Sequence, residues 1–163
     1  MKQRLDHIES KVFSDVGIAL YWAHRFEFAL VTFLLVREKS SGVALTADVI
    51  AKMELELKRM TMGEILNQLD GDPATPERSE RSFQRALDFR NYLAHNFFKS
   101  YAGSNPLSNK LMLNHLELIV MELKDAVDLM QQWTSGLASS HGIDVSDIEN
   151  NYEAILPTFN KEG

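Results

Sequence analysis

The sequence predicts an all-α protein, a four-helix up-and-down bundle with an extra short helix at its C-terminus. Apolar residues recur at helical spacing along the whole chain, and no run shows the alternation of a half-buried strand. The chain has 163 residues, of which 45% are hydrophobic and 25% are charged, as is typical of a soluble globular domain. The predicted connections between helices are short, which favours a bundle.

Two long helices are predicted in the first half of the chain. The first runs from about Asp6 to Lys39 and ends before a turn of sequence SSG, residues 40–42. The second begins near Thr46. Its apolar face consists of Ile50, Met53, Leu57 and Met60. Thr61 and Glu64 have the spacing of a capping box, so we expect a break near Thr61.

Two more long helices are predicted in the second half. One runs from about Pro76 to Tyr101, before a break of sequence AGSNP. The other begins at Asn105, and the segment after Gly136 is expected to be a loop. Its core stripe consists of Met112, Leu116, Ile119, Leu123, Val127, Met130 and Leu137. These helices complete a predicted bundle domain over residues 1–140.

A short last helix followed by a tail is predicted in residues 141–163. Asp144 stands where an N-cap is expected, and Pro157 is expected to end the helix. The apolar face of this helix consists of Ile148, Tyr152 and Ile155.

Composition excludes several classes of protein. Cysteine is absent, which excludes disulfides, thiolate zinc sites and cysteine nucleophiles. The formal net charge of -6 argues against coating nucleic acid by bulk electrostatics, so a nucleic-acid contact would be local. The first ten residues lack the features of a secretory signal, so we expect a cytoplasmic protein. The apolar run Val16 to Val36 could span a bilayer, but His24, Arg25 and Glu27 in its middle favour a helix buried by protein, without a membrane.

The stretch RNYLAH, residues 90–95, places an arginine and a histidine on the third long helix. At roughly 100° per residue, Arg90 falls in the middle of the predicted buried stripe of that helix. The stripe consists of Phe83, Leu87, Ala94, Phe97 and Tyr101. An unpaired guanidinium there would be costly, so Arg90 needs an anionic partner, a wet crevice or a cleft between subunits. His95 lies about 140° from Arg90, in a polar row with Gln84, Asp88, Asn91 and Lys99.

Three interpretations of this pair remain open on geometry. In the first, Arg90 pairs with a carboxylate inside the bundle and His95 is a structural boundary residue. In the second, the two residues form a metal-independent site that cleaves phosphodiesters. In the third, they bind an anionic ligand and catalyse no reaction. No histidines stand at the spacing of metal ligands, so no metal site is expected.

Three further residues are candidates for the same site. Glu27 is expected either to pair with Arg25 or His24 nearby or to reach across and orient Arg90. Phe98 and Lys99 are placed near a cleft, where an aromatic ring would suit stacking on unpaired RNA bases.

Arg90, the polar Asn91 and His95, on the third helix of a small all-α bundle, match the R-x4-6-H signature and resemble HEPN domains over about residues 6–138. The resemblance implies a homodimer whose motif helices meet in a cleft that holds RNA. It also implies a metal-independent endoribonuclease that needs no cofactor. His95 would then transfer the proton, Arg90 would hold the phosphate oxygens, and Asn91 would orient His95 or contact the phosphate.

The resemblance also implies a setting and an alternative. HEPN nucleases serve as toxins of toxin–antitoxin or phage-defence systems, so a cognate antitoxin, either a nucleotidyltransferase or a small protein, is the expected partner. Phe97 stands where the subgroup paired with a nucleotidyltransferase has the tyrosine that accepts AMP, so this chain departs from that subgroup. Because other HEPN domains are non-catalytic, the alternative is a module that binds a nucleotide, RNA or a protein partner.

Overall fold

The structure is a computed structural model that describes residues 2–60, 62–67, 69, 77–100 and 106–155. Within these residues the chain forms seven α-helices and no strand, which confirms the all-α class. The helices are α1 (Lys2–Ser40), α2 (Ala47–Arg59), α3 (Met62–Asn67), α4 (Glu77–His95), α5 (Phe97–Ser100), α6 (Pro106–His141) and α7 (Val145–Ile155). Five or six helices were expected, and the difference comes from the expected break between α2 and α3 and from an additional interruption between α4 and α5.

The helices form two compact units. Among the described residues, the first unit contains residues 2–27 and 77–129, and the second contains residues 28–69 and 130–155. Each of the long helices α1 and α6 contributes one part to each unit. The division into a bundle over residues 1–140 and a C-terminal segment stays a prediction.

The first unit is built on the packing of α1 against α4 and α5. The rings of Phe26 and Phe83 have centroids 6.1 Å apart, and those of Phe13 and Phe98 are 6.2 Å apart. These two contacts show that α1 and α4 run antiparallel. Buried residues of the unit include Val12, Val16, Ala19, Ala23, Phe26, Phe83, Ala86, Leu87, Leu93, Phe97, Met112, Leu116, Ile119, Leu123, Ala126 and Val127. Burying a side chain as large as Phe26 stabilises the fold by about 1.5–3 kcal/mol.

The second unit has its own core where α1, α2, α6 and α7 contribute apolar faces. Leu35, Val36, Ile50, Ala138 and Ile148 form one buried cluster. The predicted end of α1 is confirmed, and Gly42 adopts a φ of 91° in the turn that follows. The predicted start of α2 is also confirmed: Val49 N–H donates to Thr46 Oγ1 at 3.3 Å, so Thr46 caps this helix.

The helix break near Thr61 is confirmed, because α2 ends at Arg59 and α3 begins at Met62. Thr61 itself lies outside the described residues, as do Pro76, Tyr101, Asn105 and Pro157, so their predicted roles are not described. The core stripe of α6 is confirmed for six of its seven members, which are buried, while Leu137 is partly buried.

The loop predicted after Gly136 is wrong, because α6 continues to His141. A glycine inside a helix costs about 1 kcal/mol relative to alanine, which is the basis of the prediction. Two residues later, Ala138 is buried in the core cluster with Ile148, and this packing offsets the cost. The helix ends at His141 and is followed by Gly142, which has a φ of 63°.

The helix predicted from Pro76 to Tyr101 is interrupted at Asn96, between α4 and α5. Asn96 N–H still donates to Tyr92 O at 2.9 Å, and Ser100 N–H to Asn96 O at 2.9 Å, so the interruption is slight. Asparagine is a weak helix former, because its side chain competes for backbone hydrogen bonds.

The buried stripe of α4 was predicted wrongly at Ala94, which is exposed, while Leu93 is buried. The reason is that α6 packs on that side of α4. The His115 ring of α6 lies 6.3 Å from Phe89 and 5.1 Å from Tyr92, measured between centroids. The centre of the buried face therefore turns from Ala94 towards Leu93.

Within α1, the stretch Ser10–Ser40 is long and apolar enough to cross a membrane by length and composition, with a mean hydropathy of 1.3. Half of its most apolar window is buried inside the protein, including Phe26, Leu30 and Phe33. Burial to this extent is what a core helix shows, so the stretch is weak evidence for a membrane. The cytoplasmic location stays a prediction.

The N-cap predicted at Asp144 is confirmed and carries a pH-dependent prediction. Asp144 Oδ1 accepts hydrogen bonds from Ser146 Oγ at 2.6 Å and from Ser146 N at 2.9 Å. These bonds hold the pKa of Asp144 below its usual 3.8, and the bond from the Ser146 side chain has the larger effect. Because the folded-state pKa is lowered, the cap stabilises α7 fully above pH 3.8. This stabilisation is lost as the pH falls through the folded-state pKa of Asp144.

We expect an NMR titration of the Asp144 carboxyl to give a midpoint below 3.8, and Ser146→Ala to raise that midpoint. The same midpoint in both proteins would contradict the assigned cause.

Candidate functional site

The guanidinium of Arg90 is held by a carboxylate, which is one of the three surroundings expected for it. Arg90 Nε donates to Glu27 Oε1 at 2.6 Å, and Arg90 Nη1 donates to Asn91 Oδ1 at 3.1 Å. The side chain of Arg90 is 34% exposed and that of Glu27 is 27% exposed. The ion pair therefore lies at the edge of the core of the first unit, where water reaches it.

Glu27 bridges two of its candidate partners. Its Oε1 accepts from Arg90, while its Oε2 lies 3.5 Å from Nδ1 of His24, one turn earlier on α1. Of the two expectations for Glu27, the reach across to Arg90 and the local pair with His24 both occur. The antiparallel packing of α1 on α4 makes this contact between residues 63 positions apart.

Two of the five N–H groups of Arg90 are used by Glu27 and Asn91. Among the described residues, no other side chain or carbonyl accepts from Arg90. The bonds to Glu27 and Asn91 orient the guanidinium, and its other N–H groups have no acceptor among the described residues in a side chain that is 34% exposed. This is the arrangement by which arginine presents a fork of donors to a phosphate or a carboxylate.

His95 is the last residue of α4 and is exposed. The polar row predicted with it is confirmed, since each of its members is exposed: Gln84, Asp88, Asn91, His95 and Lys99. Gln84 donates to Asp88 within this row at 3.0 Å. Within the described part of the chain, His95 has no hydrogen bond or ion pair, so its imidazole nitrogens are left to water.

Arg90 and His95 do not converge within one chain. Arg90 is directed towards α1 by its bond to Glu27, whereas His95 lies on the solvent-facing row of the same helix, about 140° around the axis at 100° per residue. Asn91 lies between them: it is exposed, its Oδ1 accepts from Arg90, and it is one helical turn before His95. Within a single chain, Arg90 and His95 therefore point in different directions from α4 and do not meet around one point.

Phe98 and Lys99 lie on α5, directly after the motif, and both are exposed. Phe97 is buried, as predicted for a core residue. Phe13 of α1 was missed by sequence reasoning, although it contacts Phe98 and is 66% exposed. The exposure of Phe13 could have been predicted from the sequence, because Phe13 falls outside the apolar stripe of α1 that contains Val12 and Val16.

No group of three His, Cys, Asp or Glu side chains that could hold a metal ion occurs among the described residues.

Comparison of the chain with protein-family models, with curated proteins and with solved structures gives no match in any of the three.

Proposed function

We propose that this protein is a metal-independent endoribonuclease of the HEPN type that acts as a homodimer in the cytoplasm. In this proposal α1, α2 with α3, α4 with α5, and α6 correspond to the four helices of a HEPN-like bundle, and α7 is the extra C-terminal helix. Its setting is a toxin–antitoxin or phage-defence system, with a nucleotidyltransferase or a small protein as antitoxin.

The observation that carries the proposal is the state of the two motif side chains. Arg90 is oriented by Glu27 and Asn91 and keeps donors available to solvent, and His95 is exposed with no described partner. A histidine that supports the fold by packing or by a hydrogen bond is buried or bonded, and His95 is neither among the described residues. An exposed imidazole on the same helix as an oriented guanidinium fits general acid–base chemistry on an anion, once a second copy brings the two groups together.

The proposed reaction is cleavage by the 2′-hydroxyl that neighbours the scissile phosphate. The 2′-oxygen forms a bond to phosphorus, the bond to the 5′-oxygen breaks, and the proton of the 2′-hydroxyl is taken while the leaving 5′-oxygen is protonated. His95 takes or supplies these protons, and Arg90 donates to the non-bridging oxygens as charge develops on them. Asn91 orients His95 or contacts the phosphate, and Glu27 positions Arg90. The products are a 2′,3′-cyclic phosphate and a 5′-hydroxyl.

A two-fold partner completes the site in this proposal. Since Arg90 and His95 of one chain diverge around α4, a symmetric pairing of two motif helices brings the arginine of one copy and the histidine of the other to one phosphate. The homodimer is therefore a requirement of the proposed chemistry rather than an addition to it.

The test is incubation of the purified protein with structured RNA in excess EDTA. We expect cleavage products ending in 2′,3′-cyclic phosphate, identified by mass spectrometry, because the proposed reaction uses no metal. Complete loss of cleavage in EDTA, with recovery on added Mg²⁺, would contradict the mechanism.

The alternative is a non-catalytic HEPN-like module that binds a nucleotide, RNA or a protein partner. One observation favours it: the Glu27 carboxylate lies 2.6 Å from Arg90 and offsets the positive charge that an RNA phosphate would meet. Saturable binding of RNA with no turnover by the dimer would favour this module over the nuclease.

A further inference from the structure

Two phenylalanine rings lie in contact on the surface of the first unit. Phe13 of α1 is 66% exposed and Phe98 of α5 is 54% exposed. Their centroids are 6.2 Å apart and their planes are inclined by 33°. By contrast, Phe26, Phe83 and Phe97 in the same unit are at most 2% exposed. The fold therefore leaves a pair of aromatic faces in water while it buries others nearby.

This aromatic pair adjoins the candidate cleavage site. Phe98 follows His95 by three residues across the turn at Asn96, and His95 and Asn96 are both exposed. Lys99 is the next residue, also exposed, with no ion-pair partner among the described residues. A nucleotide chain whose phosphate lies at His95 would have its neighbouring base within reach of the rings.

Small residues leave space beside the rings. Gly17 is exposed, one turn after Phe13 on α1, and a methyl group added to it would meet nothing within 4 Å. The antiparallel register set by the two ring contacts places Gly17 about level with Ala94 of α4, which is also exposed. No large side chain therefore stands at these two positions between the aromatic pair and the Glu27–Arg90 ion pair.

The charges around the pair favour an anionic partner. Asp15, near Phe13 in sequence, is bound by Lys11 at 2.8 Å, and Glu27 is bound by Arg90. Lys99 remains beside Phe98 as an exposed cation. The centre of a protein–protein interface is depleted of charged groups, whereas interfaces with nucleic acids are polar, wet and positively charged. His95, Asn96 and Lys99 beside the rings match the second description.

We propose that Phe13 and Phe98 form a stacking platform for an unpaired base next to the phosphate that is cleaved. The inference rests on the proposed function and narrows its substrate to RNA with single-stranded nucleotides at the cut site. Stacking on an aromatic face needs a base that is free of its neighbours, so bases inside a duplex cannot use the platform.

The test measures binding separately from cleavage. The probe is a fluorescently labelled single strand of 12 nucleotides and mixed sequence, with a 2′-O-methyl group on every ribose. It has no free 2′-hydroxyl and cannot be cleaved by the proposed reaction, so its fluorescence anisotropy measures binding alone. The double variant Phe13→Leu, Phe98→Leu keeps apolar bulk and removes the aromatic faces. We expect it to bind this strand roughly 10- to 100-fold more weakly than the wild type, and the 2′-O-methyl duplex unchanged.

Two controls distinguish stacking from other effects. The double variant Phe13→Tyr, Phe98→Tyr should bind the single strand as the wild type does. Tyr21→Leu, which removes another aromatic ring of α1 that is 57% exposed, should also leave binding unchanged. Circular dichroism should show the same helical content in all variants, because the replaced rings are mostly exposed.

The outcomes separate this inference from the proposed function. If the wild type cleaves unmodified RNA and the leucine variant binds like the wild type, the platform is wrong and the nuclease stands. If the wild type binds the single strand through the rings but never cleaves RNA, the nuclease is wrong, and the rings then bind unpaired bases as part of the non-catalytic module. Loss of the dimer in the leucine variant, measured by sedimentation, would overturn the platform, because a second copy would then cover the rings.

Discussion

His95→Ala is expected to lower the rate of RNA cleavage by about 10²- to 10⁴-fold, the usual contribution of a positioned general acid or base. The imidazole is exposed and has no described partner, so its removal should change the free energy of unfolding by no more than about 0.5 kcal/mol. Single-turnover cleavage rates and urea unfolding curves measure the two quantities on the same preparations.

The matched control is His141→Ala, which removes an exposed histidine from the end of α6. It should cleave RNA at the wild-type rate. Cleavage by the His95 variant at the same rate as the His141 variant would remove the histidine from the mechanism.

Arg90→Lys is expected to lower cleavage by about 10²- to 10³-fold, although the positive charge remains. Lysine is a point charge without a planar fork, so it cannot bind Glu27 through Nε and at the same time present fixed donors to phosphate. Arg90→Ala should be at least as inactive, because it leaves the Glu27 carboxylate facing the phosphate.

Unfolding measurements distinguish a catalytic role of Arg90 from a purely structural role. Both partners are partly exposed, so we expect the coupling between Arg90 and Glu27 in a double-mutant cycle to be about 1 kcal/mol or less. A rate loss in Arg90→Lys that tracks a large loss of stability would indicate that the arginine only holds the fold.

The helices themselves could be predicted from periodicity and from a few residues at their ends. The SSG turn, the cap at Asp144 and the break near Thr61 all follow from local chemistry, since the signal and the structure lie within a few residues of each other. The loop after Gly136 failed for the opposite reason. The residue that keeps α6 helical there, Ala138, packs against Ile148, and a local rule does not include that packing.

For the candidate site too, the sequence predicts what depends on one helix and not what depends on packing between helices. The angles around one helix predict that His95 lies on a polar row, and that Arg90 needs an anionic partner, a wet crevice or a cleft between subunits. The carboxylate that pairs with Arg90 is determined by the register of α1 on α4, which the Phe26–Phe83 contact sets. From the sequence alone, His24, Arg25 and Arg90 were all possible partners of Glu27. Phe13 was missed because its importance comes from its contact with Phe98.

The measurement that tests the central proposal most directly is complementation in a heterodimer. An Arg90→Ala chain and a His95→Ala chain are co-expressed with different tags and purified through both. If the arginine and histidine that act on one phosphate come from different copies, the heterodimer keeps one intact site of two and should show about half of the wild-type activity, while each variant alone is inactive. A heterodimer as inactive as its parents would show that the two residues do not act across the interface.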